Sequence, residues 1–408
     1  YFNGELAPKH MGKAYEYFLK ASQNGSGYGS YSCGFILMKG SADIPRDIEK
    51  GLSMFRLAVD QNYKAATRDL ARYYYSLETE EDNRKALDYY LQYIEYNPKD
   101  TDTLLHIGLI YESGLGVPLN IDLARRYYER AAEQDETGMA YNFLGGTYMN
   151  DEETENNERK AVHYFQKAIE LGNTNAMFRI SYYLHNGKGG LQVDIPREIE
   201  LLTEASKRGN HQATYRLGLL FEDNESGMAQ NLELSVKYFQ LAADNGILAA
   251  INKMGELYLF GEVIPANLTK AISCFTAASE QGYGKASYWL GRLHTDGIGQ
   301  LEKDTQKAMN YYRKAIEQGY EEAREWMEQL QKNLVDETIT DIEIPQDKSD
   351  EELYKEAKNA LEKAQFKTAY AYFSYLTQRN HAESFNELGD MYFYGRGMAI
   401  NQAKALEL

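Results

Sequence analysis

Apolar and small residues recur along this chain at helical spacing, and the whole pattern returns every 36–37 residues. Each copy has a small residue, a Leu-like residue four positions later, a Gly-like one at five and an aromatic one at eight. Ala213, Leu217, Gly218 and Phe221 form one copy, and Ala250, Met254, Gly255 and Tyr258 form the next. Copies start at residues 29, 66, 103, 140, 176, 213, 250, 286 and 323, and a last one starts at 384. These spacings place the marked residues on one face of a helix, helix A of each unit. A second one-faced pattern follows: Ala, an aromatic pair at three and four, and Ala at seven, as in Ala124, Tyr127, Tyr128 and Ala131. It predicts helix B.

Turn chemistry agrees with this division. Helix A is expected to stop at Gly114, Gly187, Gly261, Gly297 and Gly395, because glycine accepts the left-handed conformation that ends a helix. Helix B is expected to be capped by Asp47, Asp82, Asn120, Asn157, Asp194, Asn231, Asn267, Asp304 and Asn401, whose side-chain oxygens can accept from first-turn amides. A further glycine closes many units: Gly172, Gly209, Gly246, Gly282 and Gly319. One helix–turn–helix cannot bury its apolar face alone, whereas stacked units share a core. The expected fold is therefore all-α, a right-handed solenoid of helical hairpins.

Composition narrows the chemistry. The chain has 408 residues and a formal net charge of −17, which argues against a nucleic-acid binder, since phosphate must be neutralised by cations. No apolar run approaches the roughly 20 residues that span a bilayer, and no signal-peptide pattern is present. The two cysteines, Cys33 and Cys274, exclude a disulfide framework and a cysteine-based zinc site. The repeat explains the excess of tyrosine, 35 residues, most of which are expected to be core rings with hydrated hydroxyls. Catalytic signatures are missing: there is no H-E-x-x-H, and Gly187-Lys188-Gly189-Gly190 lacks P-loop spacing and reads as a turn. Cys33 would be reactive only beside a cation. His294, at an aromatic position, is expected to be a hydrogen-bonded core histidine. No enzyme activity, cofactor or metal is expected.

The unit A-x-x-x-L-G-x-x-Y-x-x-G-x-G-V-x-x-[DN]-x-x-[KL]-A-x-x-Y-[YF]-x-x-A resembles the Sel1-like repeat, a relative of the tetratricopeptide repeat. Its best copy carries Ile107-Gly108, Tyr111, Gly114, Gly116, Val117, Asn120, Leu123-Ala124, Tyr127-Tyr128 and Ala131-Ala132. Gly29 opens a copy without the Leu, and Glu328 stands where Gly is expected after Ala323. Both chain ends fall inside a repeat, so a segment of a longer protein is expected. The period fails between 323 and 384, across an acidic stretch with Pro345. A first repeat block over 1–334, an acidic linker over 335–352 and a second block over 353–408 are expected. The run Thr338–Ile344 alternates β-branched and acidic residues; it could add to a partner's sheet edge, but a solvated linker is the simpler reading.

The resemblance implies a non-enzymatic adaptor or scaffold that binds partner proteins in a concave groove lined by helix A and recruits them to a larger complex. Alternatives it implies are the substrate-recruiting subunit of an endoplasmic-reticulum-associated degradation ubiquitin-ligase complex, or the regulatory arm of an enzyme whose catalytic domain lies elsewhere. Homo-oligomers through repeat faces are also possible partners. Groove positions lie two before, two after and five after the Leu-like residue. They hold Arg68, Arg72 and Tyr75; Phe178, Tyr182 and His185; Tyr215; and Tyr288 and Arg292. Exposed aromatics with arginines are the residue types that dominate protein interfaces.

Overall fold

The computed structural model describes residues 10–151, 154–223, 230–298, 301–330, 342–345, 347–363 and 365–394. Among them all regular structure is helical. The order is α1 (Met11–Gln23), α2 (Gly27–Lys39), α3 (Ile48–Asp60), α4 (Ala65–Tyr75), α5 (Glu80–Tyr96), α6 (Thr101–Ser113) and α7 (Ile121–Ala132). Next come α8 (Met139–Met149), α9 (Glu155–Glu170), α10 (Thr174–Asn186), α11 (Ile195–Lys207), α12 (His211–Glu222), α13 (Leu232–Asp244), α14 (Leu248–Phe260) and α15 (Leu268–Glu280). The series ends with α16 (Gly284–Asp296), α17 (Thr305–Glu317), a helical run α18 over 323–330, α19 (Asp350–Glu362), α20 (Phe366–Gln378) and α21 (Ala382–Tyr394). From α2 on, even-numbered helices up to α16 are helix A and the odd ones that follow them are helix B. The described residues form two compact units, one extending to Leu220 and the other lying beyond it.

In most hairpins the small residue of helix A admits a ring from helix B. A Cβ added at Gly108 would come within 2.3 Å of the Tyr128 ring. Gly145 meets Phe165, Gly255 meets Phe275 and Gly291 meets Tyr312 in the same way. Those four rings are fully buried, as are the alanines beside them, Ala124, Ala161, Ala271 and Ala308. Close approach of two helices over an aromatic knob is therefore the packing unit of the fold. Hairpins are joined by buried polar clasps. Ser30 donates to Gln61 Oε1 at 2.5 Å and shares a 2.6 Å hydrogen bond with Ser22, while Gln61 Nε2 donates to the Ser22 carbonyl. The second unit repeats the clasp with Ser279, Ser287 and Gln318. Each buried hydroxyl and amide is satisfied, so the clasp fixes register without an orphan polar group.

The caps agree in part. Gly114, Gly187, Gly261 and Gly297 end their helices in the left-handed conformation. Asp47, Asn120, Asp194, Asn231, Asn267 and Asp304 cap helix B as expected. Asp82 and Asn157 do not. Thr79 and Thr154 cap α5 and α9 one turn earlier, and these helices run to 17 and 16 residues instead of 12 or 13. A threonine three residues before an acid or amide offers the better cap, and the acids Glu80, Glu81 and Glu155 then complement the first-turn dipole. Gly395 and Asn401 lie outside the described residues.

Most of the expected linker over 335–352 also lies outside them. Its described end departs from a solvated chain: Ile342 and Ile344 pack on the core of α19–α21, around Leu353, Phe373 and Leu388. Residue Ser349 then starts α19 with a full capping box to Glu352. The tyrosine expectation also needs correction. Several hydroxyls are buried with their rings: Tyr128 donates to Glu112 at 2.6 Å, Tyr312 meets Thr295 at 2.9 Å, and Tyr90 Oη has no hydrogen-bond partner among the described residues. Burial pushes all three phenols up. Likewise His294 Nδ1 is buried without a hydrogen bond, against expectation; its ring stacks on Tyr311 at 5.6 Å.

Candidate protein-binding face

The nine candidate residues fall into three local settings. In α4, Arg68 and Arg72 are engaged with acids. Arg68 pairs with Asp100 at 3.5 Å and lies over the Tyr93 ring. Arg72 donates to Asp102 at 2.7 Å and sits 3.9 Å from Asp69, which itself accepts from Tyr31. Tyr75 is half-buried, edge-on to His106, and His106 stacks on Tyr90. These residues tie α4 to α6 of the next repeat.

In α10 the setting is more open. Tyr182 is 41% exposed and its hydroxyl accepts from Lys188 at 3.1 Å. Phe178 lies one turn before it and is half-buried. Tyr215 occupies the register of Phe178 on α12, and it too is half-buried. Behind this face stands a group that the sequence reading passed over. Glu198 is fully buried on α11, with one carboxylate oxygen 2.9 Å from His185 Nδ1 and the other 3.2 Å from the Arg216 guanidinium. Most other helices B carry Ala at this register, as Ala86, Ala124 and Ala161 do, and the rest carry Gly51 or Ser235. An acid at a small apolar position was the available signal. Paired on both oxygens, the carboxylate ties α11 to His185 of α10 and to Arg216 of α12.

In α16 the candidates are absorbed into a local aromatic cluster. Tyr288 touches Trp289, Tyr312, Tyr320 and Trp326. Arg292 stacks 3.8 Å over Trp326 and donates to the Tyr288 hydroxyl at 3.0 Å. Both residues are half-buried and belong to the second unit.

The remaining chemistry is bland. The Cys33 thiol is buried and pushed up to about 11 by desolvation, the opposite of an activated nucleophile. Among the described residues no group of three or more His, Cys, Asp or Glu side chains is placed to hold a metal ion. No described helix is long and apolar enough to cross a membrane.

The Sel1 repeat profile matches this chain ten times, over residues 1–26, 28–63, 64–92, 103–136, 138–173, 174–210, 211–247, 248–283, 284–320 and 382–408. The chain belongs to the Sel1 repeat family. The profile leaves out the weak unit at Ala323 and counts a unit before α2 instead. Among curated proteins, the Sel1-repeat-containing protein YjcO of Escherichia coli K12 is 33% identical over 78 residues, 19% of this chain and 34% of that protein. Protein sel-1 homolog 2 of Rattus norvegicus is 40% identical over 70 residues, 17% of this chain and 10% of its own length. The chain thus spans about a third or less of these relatives. Of solved structures, a Sel1 repeat protein from Oxalobacter formigenes superposes with a TM-score of 0.59 at 24% identity, covering 77% of this chain and 90% of the other. The protective antigen c5321 of uropathogenic E. coli, which displays an SLR fold, gives 0.54 at 20% identity over 96% of this chain and 85% of its own. Both likenesses bear on the fold, an all-α helical-repeat solenoid. Sel1 repeat solenoids are in general non-catalytic protein-interaction scaffolds.

Proposed function

We propose that this chain is an adaptor that binds partner proteins on the helix-A face of α10 and α12 and recruits them to a larger assembly. The observation that carries the reading is Tyr182. It is an exposed ring on helix A whose hydroxyl accepts from Lys188, whereas Arg68, Arg72, Tyr288 and Arg292 are engaged within the chain. A rigid aromatic beside cationic groups is the composition of an interface anchor. The partner that fits presents an apolar or aromatic side chain, to meet Tyr182 and the neighbouring rings of Phe178 and Tyr215.

The test is affinity capture with the wild-type chain and with Tyr182→Ala plus Tyr215→Ala, followed by titration of each captured protein in purified form. The reading expects partners that lose at least about tenfold in affinity with the double variant. Ubiquitin-ligase components among them would select the degradation-complex version, and an enzyme so bound would select the regulatory-arm version. Unchanged affinity for every partner would remove this face as the binding site.

A further inference from the structure

The repeat over 64–92 differs from its neighbours in a way that leaves a cavity. Its A–B connection runs Ser76-Leu77-Glu78-Thr79, without the Gly-x-Gly that the repeats starting at 103, 176, 286 and 384 carry, and turns on Glu78 at φ 58°. A cavity of about 400 Å³ lies there, lined by Tyr75, Ser76, Glu78, Asn83 and Leu115. Asn83 is only 3% exposed, and its Oδ1 is buried with no hydrogen-bond partner among the described residues. An unpaired buried acceptor is costly, about 1–3 kcal/mol by general experience, so a native one asks for an explanation. Glu78, on the rim, has no ion-pair partner among the described residues, and its charge adds to burial in pushing the Tyr75 phenol up. At the same register Ile48, Ile121, Ile195, Leu232 and Leu268 are apolar, so the amide at Asn83 is a departure and not a requirement of the fold.

The chain supplies its own comparison. The other Thr-capped helix B, α9, carries a polar residue at the register of Asn83, namely Glu158. There the acceptor is satisfied. The Gly-x-Gly loop of the following repeat brings Lys188 Nζ to 3.5 Å and donates the Gly189 amide at 3.3 Å. Over α5 the matching loop is Gly114-Leu115-Gly116, with Leu115 in place of Lys188. It is seated nearer the helix start: a Cβ at Gly116 would fall 2.2 Å from the Glu80 carbonyl, whereas Gly189 lies against Glu158 and Val162. The space and the acceptor remain, and the cation is gone.

We propose that this cavity is a binding site for the ammonium of a lysine side chain presented by a partner polypeptide. The ammonium donates to Asn83 Oδ1 and pairs with Glu78, and its methylene stem lies along Leu115 and Tyr75. The chain's charge of −17 favours a basic partner segment. This site lies apart from the α10–α12 face and stands or falls independently of it.

The experiment is NMR of the full chain, with the Asn83 side-chain amide and the backbone amides of residues 75–78 as reporters. The titrant is the blocked tripeptide acetyl-Gly-Lys-Gly-amide, compared with its norleucine and arginine counterparts. Saturable shifts with the lysine peptide, at least about tenfold weaker binding of norleucine, and loss of the response in Leu115→Lys are expected. That variant fills the site from within, as Lys188 does, and Asn83→Leu supplies a second variant that is apolar as in other repeats. Three results would overturn the proposal: no response, equal binding of norleucine, or a response that survives in both variants. Tighter binding of the arginine peptide would overturn the assignment to an ammonium.

Discussion

Helices α4 and α10 occupy the same place in their repeats and use it in opposite ways. On α4 the exposed register is filled with arginines, and the next repeat answers with Asp100 and Asp102. The face becomes a strap between hairpins. On α10 the same register holds Phe178, Tyr182 and His185, and the charge is moved behind it, into Glu198 at an alanine position. The ring stays in solvent, and Glu198 ties α10 to α12. A repeat constrains only its inward residues; what the outward register does is decided by whether the adjoining repeat supplies a partner.

The strongest way to break this contrast is to disturb the buried carboxylate. Arg216→Ala leaves Glu198 with His185 alone and is expected to destabilise the first unit by about 3 kcal/mol, read from urea unfolding. Glu198→Ala should cost less, under about 2 kcal/mol, because the Arg216 and His185 side chains are both partly exposed and alanine is the residue most other repeats carry there. Equal losses would show that the pair contributes by volume and not by charge. Next comes the knob beneath each face. Gly108→Ala places a Cβ against Tyr128 and should cost about 1–3 kcal/mol, while Ser181→Ala, in the repeat that carries Leu202 in place of the ring, should stay within about 1 kcal/mol by the same measurement. Smallest is the strap. Arg72 is 45% exposed, so its ion pairs are screened, and Arg72→Ala should lower stability by less than about 1 kcal/mol, a loss that shrinks further in high salt. A larger, salt-insensitive loss would make the strap a structural centre instead.

Much of this was legible before any coordinates. The 36–37 period gave the hairpins, and the Gly, Asp and Asn positions gave most helix ends, because these are local choices of backbone conformation. Where local signals competed, the reading slipped: Thr79 and Thr154 outbid Asp82 and Asn157, since a cap one turn earlier adds acids to the first turn. The candidate face was harder. Spacing within a helix shows that Arg72 points outward, but not that Asp102, thirty residues on, will meet it. That depends on the rotation between successive hairpins, which no intra-repeat spacing encodes. Tyr288 was lost to a cluster closed by Trp326, from the weak unit that breaks the pattern. Glu198 was readable by register alone, as a buried acid in a line of alanines.

The most direct test sets the two faces against each other with one purified partner. Its affinity is measured for the wild-type chain, for Tyr182→Ala with Tyr215→Ala, and for Arg72→Ala, after each is shown to keep its helical circular dichroism. The account predicts at least about a tenfold loss for the tyrosine pair and less than about a threefold change for Arg72→Ala. A partner that ignores the tyrosines and is lost with Arg72 would contradict it, and would make the strap the binding face.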